Sequence, residues 1–280
     1  MERTIKMSGF EVPRFFYGTA WKEEDTIRCV TEALAAGFRS IDTANQRKHY
    51  YEEAVGRALV ESYINNICKR EDLFLQTKFT HVAGQDERLP YEAAADTYTQ
   101  VMQSFESSLR HLHAEYIDSF VLHGPSTRAG LAQEDWDVWQ AMEDIASSSQ
   151  AKLIGVSNVI LPQLEFIYEH SRVKPHFVQN RCYANTRWDF EVRDFCNKNG
   201  ILYQGFSLLT ANKWVLEHRE IQDLAYNLKI SPEQLIFAFA MEVGMLPLTG
   251  TSDPEHMKED LESFEISLDK KQIHLIENIK

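Results

Sequence analysis

Eight short apolar runs recur along the chain, separated by longer stretches whose apolar positions return every three or four residues. The runs are FFYG (Phe15 to Gly18), FRSID, LFLQTK, IDSFVLH, KLIGVSN, HFVQN, ILYQGFS and MLPLTG. Runs of this length, rich in branched and aromatic side chains, predict buried strands, and the stretches between them predict amphipathic helices. The helical stretches are Asp25 to Ala36, Glu52 to Asn66, Tyr91 to Leu112, Glu134 to Ser149, Leu161 to Glu169 and Trp188 to Asn199. Two more, around Arg219 to Leu228 and Pro232 to Val243, fall between the seventh and eighth runs. Eight strands alternating with helices close a barrel, so the expected fold is α/β, a (β/α)8 TIM barrel. Ahead of the first run, TIKMSGFEVP reads as a hairpin turning at Ser8-Gly9 and placed to close the barrel bottom. No linker or charge block breaks the alternation, which predicts one domain over residues 1–280.

Four consecutive runs end in groups that carry chemistry: FRSID in Asp42, LFLQTK in Lys78, IDSFVLH in His123 and LIGVSN in Ser157 and Asn158. The ends of successive parallel strands emerge on one rim, where barrels of this kind place their catalytic groups. A carboxylate, an ammonium and an imidazole on neighbouring strand ends suit proton transfer. Two loops following these ends, THVAGQDERLP and GPSTRAGLAQED, are long enough to be expected to shape a substrate pocket.

Composition narrows the partners. A net charge of −13 argues against nucleic acid and against anionic membrane surfaces. The four cysteines are scattered, and no apolar segment has the length of a membrane span or the form of a leader, so a cytoplasmic protein with reduced thiols is expected. A metal-dependent barrel would need ligands converging from several strand ends, and His123 stands alone there.

The strings GFRSIDTA with EEAVGRAL, LFLQTK, YIDSFVLHGP, IGVSN, the glutamine of FVQN, and YQGFS appear in order over nearly the whole length, and together they resemble the aldo-keto reductase superfamily. The resemblance implies reduction of an aldehyde or ketone by hydride from NADPH, with NADH possible, on a small carbonyl substrate in a monomer or weak oligomer. It implies a catalytic set of Asp42, Lys78, His123 and a tyrosine. The chemistry supports those roles: an ammonium near a phenol lowers its pKa, Asp42 holds the ammonium, and an imidazole orients the carbonyl. The acid is where the chain departs from the family. IDTANQRKHYYEEAVG is two residues longer than the usual segment; counting forward from Asp42 reaches Arg47 and counting back from Val55-Gly56 reaches His49. Tyr50, ahead of the helix, is the expected acid, followed by Tyr51 and then by His49 as an imidazole substitute.

For the cofactor, the resemblance assigns Ser157, Asn158 and Gln179 to the carboxamide and Phe206 to stacking on the nicotinamide. Asp42 with Gly18, Thr19 and Ala20 borders the ribose, and Ser207 and Leu208 meet the pyrophosphate. LTGTSDPEHMKEDL supplies Gly250, Thr251, Ser252, His256, Glu259 and Asp260 at the adenosine end. Asp253-Pro254 reads as a helix start that points amides at a phosphate. His256 and Asp260 stand where the family often has arginine and asparagine, and Lys258 is the nearest strong cation, so a modest preference for NADPH is expected. Trp21, the NQRKHYY loop, the two long loops and part of the connection between the seventh and eighth runs are expected around the substrate, with Arg47, Lys48, His81 and Arg128 forming a basic mouth. The rival class is a non-enzymatic NADP(H)-binding barrel acting as a redox sensor or subunit. It would keep the cofactor groups and lose the acid.

Overall fold

The structure is a computed structural model that describes residues 1–280. Its first strands, β1 (Thr4–Met7) and β2 (Phe10–Pro13), pair antiparallel as a hairpin. Ser8 and Gly9 both take positive φ at its turn, the geometry that two-residue hairpin loops require. Eight parallel strands follow: β3 (Phe16–Gly18), β4 (Ser40–Asp42), β5 (Phe74–Phe79), β6 (Ile117–Leu122), β7 (Ala151–Ser157), β8 (Phe177–Arg181), β9 (Leu202–Phe206) and β10 (Met245–Thr249). They close a barrel in chain order, with β10 pairing to β3. No helix is long and apolar enough to cross a membrane.

Inside the barrel the strands alternate, and residues two apart stack in layers. The bottom of the barrel is apolar: Phe16, Phe74, Leu153, Phe177, Leu202, Leu246 and Leu248 pack together with Val12 of the hairpin. Two residues further along β5, β8 and β9 come Gln76, Gln179 and Gln204, and β4 contributes Asp42 in register with Gln76. The next step up reaches the rim. The main core lies outside, between strands and helices, where 59 buried residues form one cluster. At Gly56, in the helix Glu52–Ile64, a Cβ would lie 1.8 Å from the carbonyl oxygen of His111, which ends the helix Thr97–His111, so only glycine lets these two helices approach so closely.

Two helical expectations shift, and one helix is new. The stretch expected from Tyr91 becomes helical only at Thr97–His111, because Asp96 caps it by accepting from the Thr99 amide at 2.8 Å. Tyr91 is instead buried in the preceding loop, its hydroxyl donating to the Thr80 carbonyl at 2.7 Å. The stretch expected from Trp188 starts at Phe190, since Trp188 and Asp189 take positive φ and the buried indole donates to the Ile276 carbonyl. After β10, the helix Pro254–Glu262 is followed by a last one, Lys270–Glu277, which the pattern of runs did not predict.

Candidate active site and cofactor cavity

The strand ends of β4, β5, β6 and β7 bring Asp42, Lys78, His123 and Ser157 to one rim. Lys78 is fully buried. Its Nζ donates to both Asp42 oxygens at 2.7 Å and to the Thr43 carbonyl at 2.8 Å, so all three hydrogens are spent. Burial lowers the Lys78 pKa while the Asp42 carboxylate holds it up. Above this pair opens a cavity of about 930 Å³, lined by Asp42, Tyr50, His123, Ser157, Asn158, Gln179 and Phe206 at one end and by Gly250, Thr251, His256, Glu259 and Asp260 at the other.

The loop after β4 separates the three candidate acids. The longer segment folds into a turn, in which the His49 and Tyr50 amides both donate to the Gln46 carbonyl. His49 lines the cavity beside Trp21, the two rings tilted by 37° with centroids 4.1 Å apart. Tyr51 ends up at the N-terminus of the helix Glu52–Ile64, its ring under the Arg47 guanidinium at 4.0 Å, and does not line the cavity. Tyr50 lies between them. Its ring centroid is 5.3 Å from Lys78 Nζ and 5.8 Å from the His123 ring.

Electrostatics here differ from expectation in one respect. Burial, with the Asp42 charge adding to it, raises the Tyr50 pKa above that of an ordinary phenol. The expected lowering by Lys78 is not found: burial and the nearby Asp42 carboxylate dominate. A phenol of this kind keeps its proton at neutral pH. Burial, aided by the Lys78 charge, lowers His123 to about 3, so the imidazole is neutral. Its Nδ1 lies 2.7 Å from the Thr80 hydroxyl. With that hydroxyl as donor, the ring proton sits on Nε2, free to bond an oxygen in the cavity.

Beside this end, Asn158 adopts positive φ and donates to the His123 carbonyl at 2.8 Å and to Ser157 Oγ at 3.1 Å. Gly18, Ala20, Ser207 and Leu208 also line the cavity. Thr19 and Ser252, expected at the cofactor, do not. Thr19 is buried and ties β3 to β4 through the Asp42 carbonyl, and the Ser252 carbonyl accepts from Arg28 at the surface. The helix start after Ser252 is already occupied, since the Asp253 carboxylate takes the Glu255 amide at 2.8 Å. Lys258 is turned to Glu255 at 2.8 Å and stays off the cavity wall.

The long loops are a clear correction. No residue from 79–122 or 124–156 lines the cavity. The two loops bind each other instead: His81 Nε2 lies 3.0 Å from buried Asp135, which also accepts from the Ser126 and Ala132 amides. Arg47, which pairs with Glu23, and Lys48, His81 and Arg128 are likewise absent from the wall, so they make no basic mouth there. The cations that do line the cavity are Lys22, Arg181 and Lys213; none was singled out, though Lys213 lies in the connection between β9 and β10 that was expected to contribute. Lys22 Nζ donates to the Gly250 carbonyl, and burial lowers its pKa. Glu233 also lines the cavity unforeseen. The available signal was position: Lys22 follows the first strand end, and Arg181 ends β8.

A model of the aldo/keto reductase family matches residues 14–280. The chain belongs to that family. It is 26% identical to glyoxal reductase of Bacillus subtilis, over 99% of this chain and 92% of the relative. It is 29% identical to an NAD/NADP-dependent indole-3-acetaldehyde reductase of Schizosaccharomyces pombe, over 94% and 89% of the two chains. Among solved structures it superposes on an aldo/keto reductase from Brucella melitensis with a TM-score of 0.84 and 26% identity, covering 99% of this chain and 97% of the other. Family membership makes the chain an oxidoreductase that reduces carbonyl groups with NAD(P)H.

Proposed function

We propose that this aldo/keto reductase reduces a small aldehyde or ketone to an alcohol, with Tyr50 as proton donor, and that it takes NADPH with only modest preference over NADH. One observation carries the assignment: His49 and Tyr50 line the cavity and Tyr51 does not, and of those two it is Tyr50 whose ring lies 5.3 Å from Lys78 Nζ and 5.8 Å from the His123 ring. The cavity, of about 930 Å³, suits a dinucleotide: its wall carries the hydroxyl and amide groups of Ser157, Asn158 and Gln179, the aromatic ring of Phe206, and the segment Thr249 to Thr251 with His256. A bound reduced nicotinamide supplies the hydride. The neutral His123 donates from Nε2 to the carbonyl oxygen and orients it, and Tyr50 delivers the proton to that oxygen as negative charge develops there. Lys78 and Asp42 form a fixed pair beneath the phenol and leave no uncancelled charge next to the reacting carbon.

The names of the two relatives support an aldehyde substrate and tolerance of either cofactor. Lys22, Arg181 and Lys213 are the wall cations available to a pyrophosphate. The wall near His256 carries Glu233, Glu259 and Asp260, which oppose a 2′-phosphate. Following NADPH oxidation in a panel of aldehydes tests the reading: steady turnover of at least one is expected. Tight cofactor binding with no turnover of any would favour the redox-sensor alternative.

A further inference from the structure

The layer beneath the rim is built from amides. Gln76 and Gln204 are fully buried. Gln76 Nε2 donates to Asp42 Oδ1 at 2.7 Å and to Gln204 Oε1 at 2.8 Å. Gln204 Nε2 donates back to Gln76 Oε1 at 3.1 Å. Gln179 Nε2 donates to Asp42 Oδ1 and to Gln204 Oε1, both at 3.0 Å.

One charge sets the direction of every bond in this network. A carboxylate paired with Lys78 can only accept, so both amides that touch it must present their NH2 groups. The second hydrogen of each NH2 then points at Gln204, whose oxygen must face them. That leaves the Gln204 NH2 directed at Gln76 Oε1. Gln179 has now spent both hydrogens, and it lines the cavity with Oε1 uncommitted in the network.

We infer that Asp42, through Gln76 and Gln204 as positioning residues, locks Gln179 as a lone acceptor that reads the amino end of a bound carboxamide. The inference rests on the reading of this cavity as a nicotinamide dinucleotide site. An amide free to turn over would bond either end of a carboxamide. A locked acceptor takes the NH2 end and leaves a flipped or amino-lacking ring with an unpaired oxygen, a costly arrangement in a closed site.

The test compares the dissociation constants of NADP+ and its 3-acetylpyridine analogue, in which a methyl replaces the amino group, by quenching of tryptophan fluorescence. The wild-type chain should bind the analogue at least about tenfold more weakly, as expected for one stranded acceptor. Asp42→Asn replaces the acceptor-only group with one that can present NH2 to Gln76 and Gln179, which lets the network reverse. Its preference should fall to within about threefold. Gln204→Met removes one of the two partners that hold Gln179 and should reduce the preference by a smaller amount, and it serves if Asp42→Asn does not melt cooperatively. A merely structural role would lower the melting temperature and leave the ratio of the two constants unchanged. Wild-type binding of both dinucleotides within about twofold overturns the inference, as does full discrimination retained in the variants. Failure to bind either dinucleotide overturns the cofactor reading as well, so the two failures are distinguishable.

Discussion

The two ends of the cavity handle charge in opposite ways. At the rim, Lys78 and Asp42 cancel each other at 2.7 Å, His123 is held neutral by burial, and Tyr50 keeps its proton. At the far end, Glu233, Glu259 and Asp260 share the wall with His256, and burial raises the Asp260 pKa to about 7. The rim spends its charges in fixed pairs and meets the reacting atoms with neutral hydrogen-bonding groups. The far end faces its ligand with carboxyl groups, one of which, Asp260, changes its charge near neutral pH. Chemistry at the rim should therefore be sensitive to single deletions, and binding at the far end should be graded and pH-dependent.

The largest expected effect comes from breaking the rim pair. Lys78→Met should cost at least about 100-fold in turnover. It also strands a buried carboxylate, so unfolding in denaturant should show a loss of about 3–5 kcal/mol. Adding Asp42→Asn to it should restore much of the stability and none of the turnover. Recovery of both would mean that the pair serves the fold alone. Next in size is the imidazole tautomer. Thr80→Val should lower kcat by roughly tenfold with little change in cofactor affinity, and Thr80→Ser, which keeps the hydroxyl, should restore it. An unchanged kcat in the valine variant would remove Thr80 from the account.

At the far end the effects are smaller. Asp260 is raised to about 7 from an unfolded value near 4, so the folded state keeps this proton longer. The resulting stabilisation is complete below about pH 4 and is lost as pH rises through about 7. Relative to Asp260→Asn, the wild type should lose on the order of 2 kcal/mol between pH 5 and 8, read from unfolding curves at each pH. Parallel curves for the two chains would show that the carboxyl does not titrate there. Smallest of all, the ratio of NADPH to NADH affinity should stay well under about a thousandfold, roughly 4 kcal/mol. Titrating each cofactor by fluorescence quenching measures it, and a larger ratio would reveal a phosphate clamp outside Lys22, Lys213 and Arg181.

The barrel was legible because its strands announce themselves twice, as apolar runs and by their polar ends. Asp42, Lys78 and His123 sit where those ends predicted. Other parts were not legible, for separable reasons. The loops after β5 and β6 have the length of pocket walls, but Asp135, thirteen residues beyond the end of β6, gathers His81 and two amides and folds them away from the cavity. The start of the helix at Thr97 turns on a single cap, Asp96, inside a segment whose periodicity runs on unbroken. Gln76 and Gln204 did leave a signal. Each lies two residues before a residue expected at the site, Lys78 and Phe206, and so faces the same interior. Within LFLQTK and YQGFS a lone glutamine reads as ordinary polar alternation, and only the closed barrel brings the two amides together.

The claim most exposed to a direct test is that Tyr50 delivers the proton. Tyr50→Phe and Tyr51→Phe each remove one hydroxyl and keep the ring, so single-turnover oxidation of bound NADPH by a good aldehyde isolates the donor. The account predicts that Tyr50→Phe slows this step by about 100-fold or more while Tyr51→Phe stays near the wild-type rate, with unchanged NADPH affinity in both. Equal rates in the two variants, or a slow step confined to Tyr51→Phe, would contradict it.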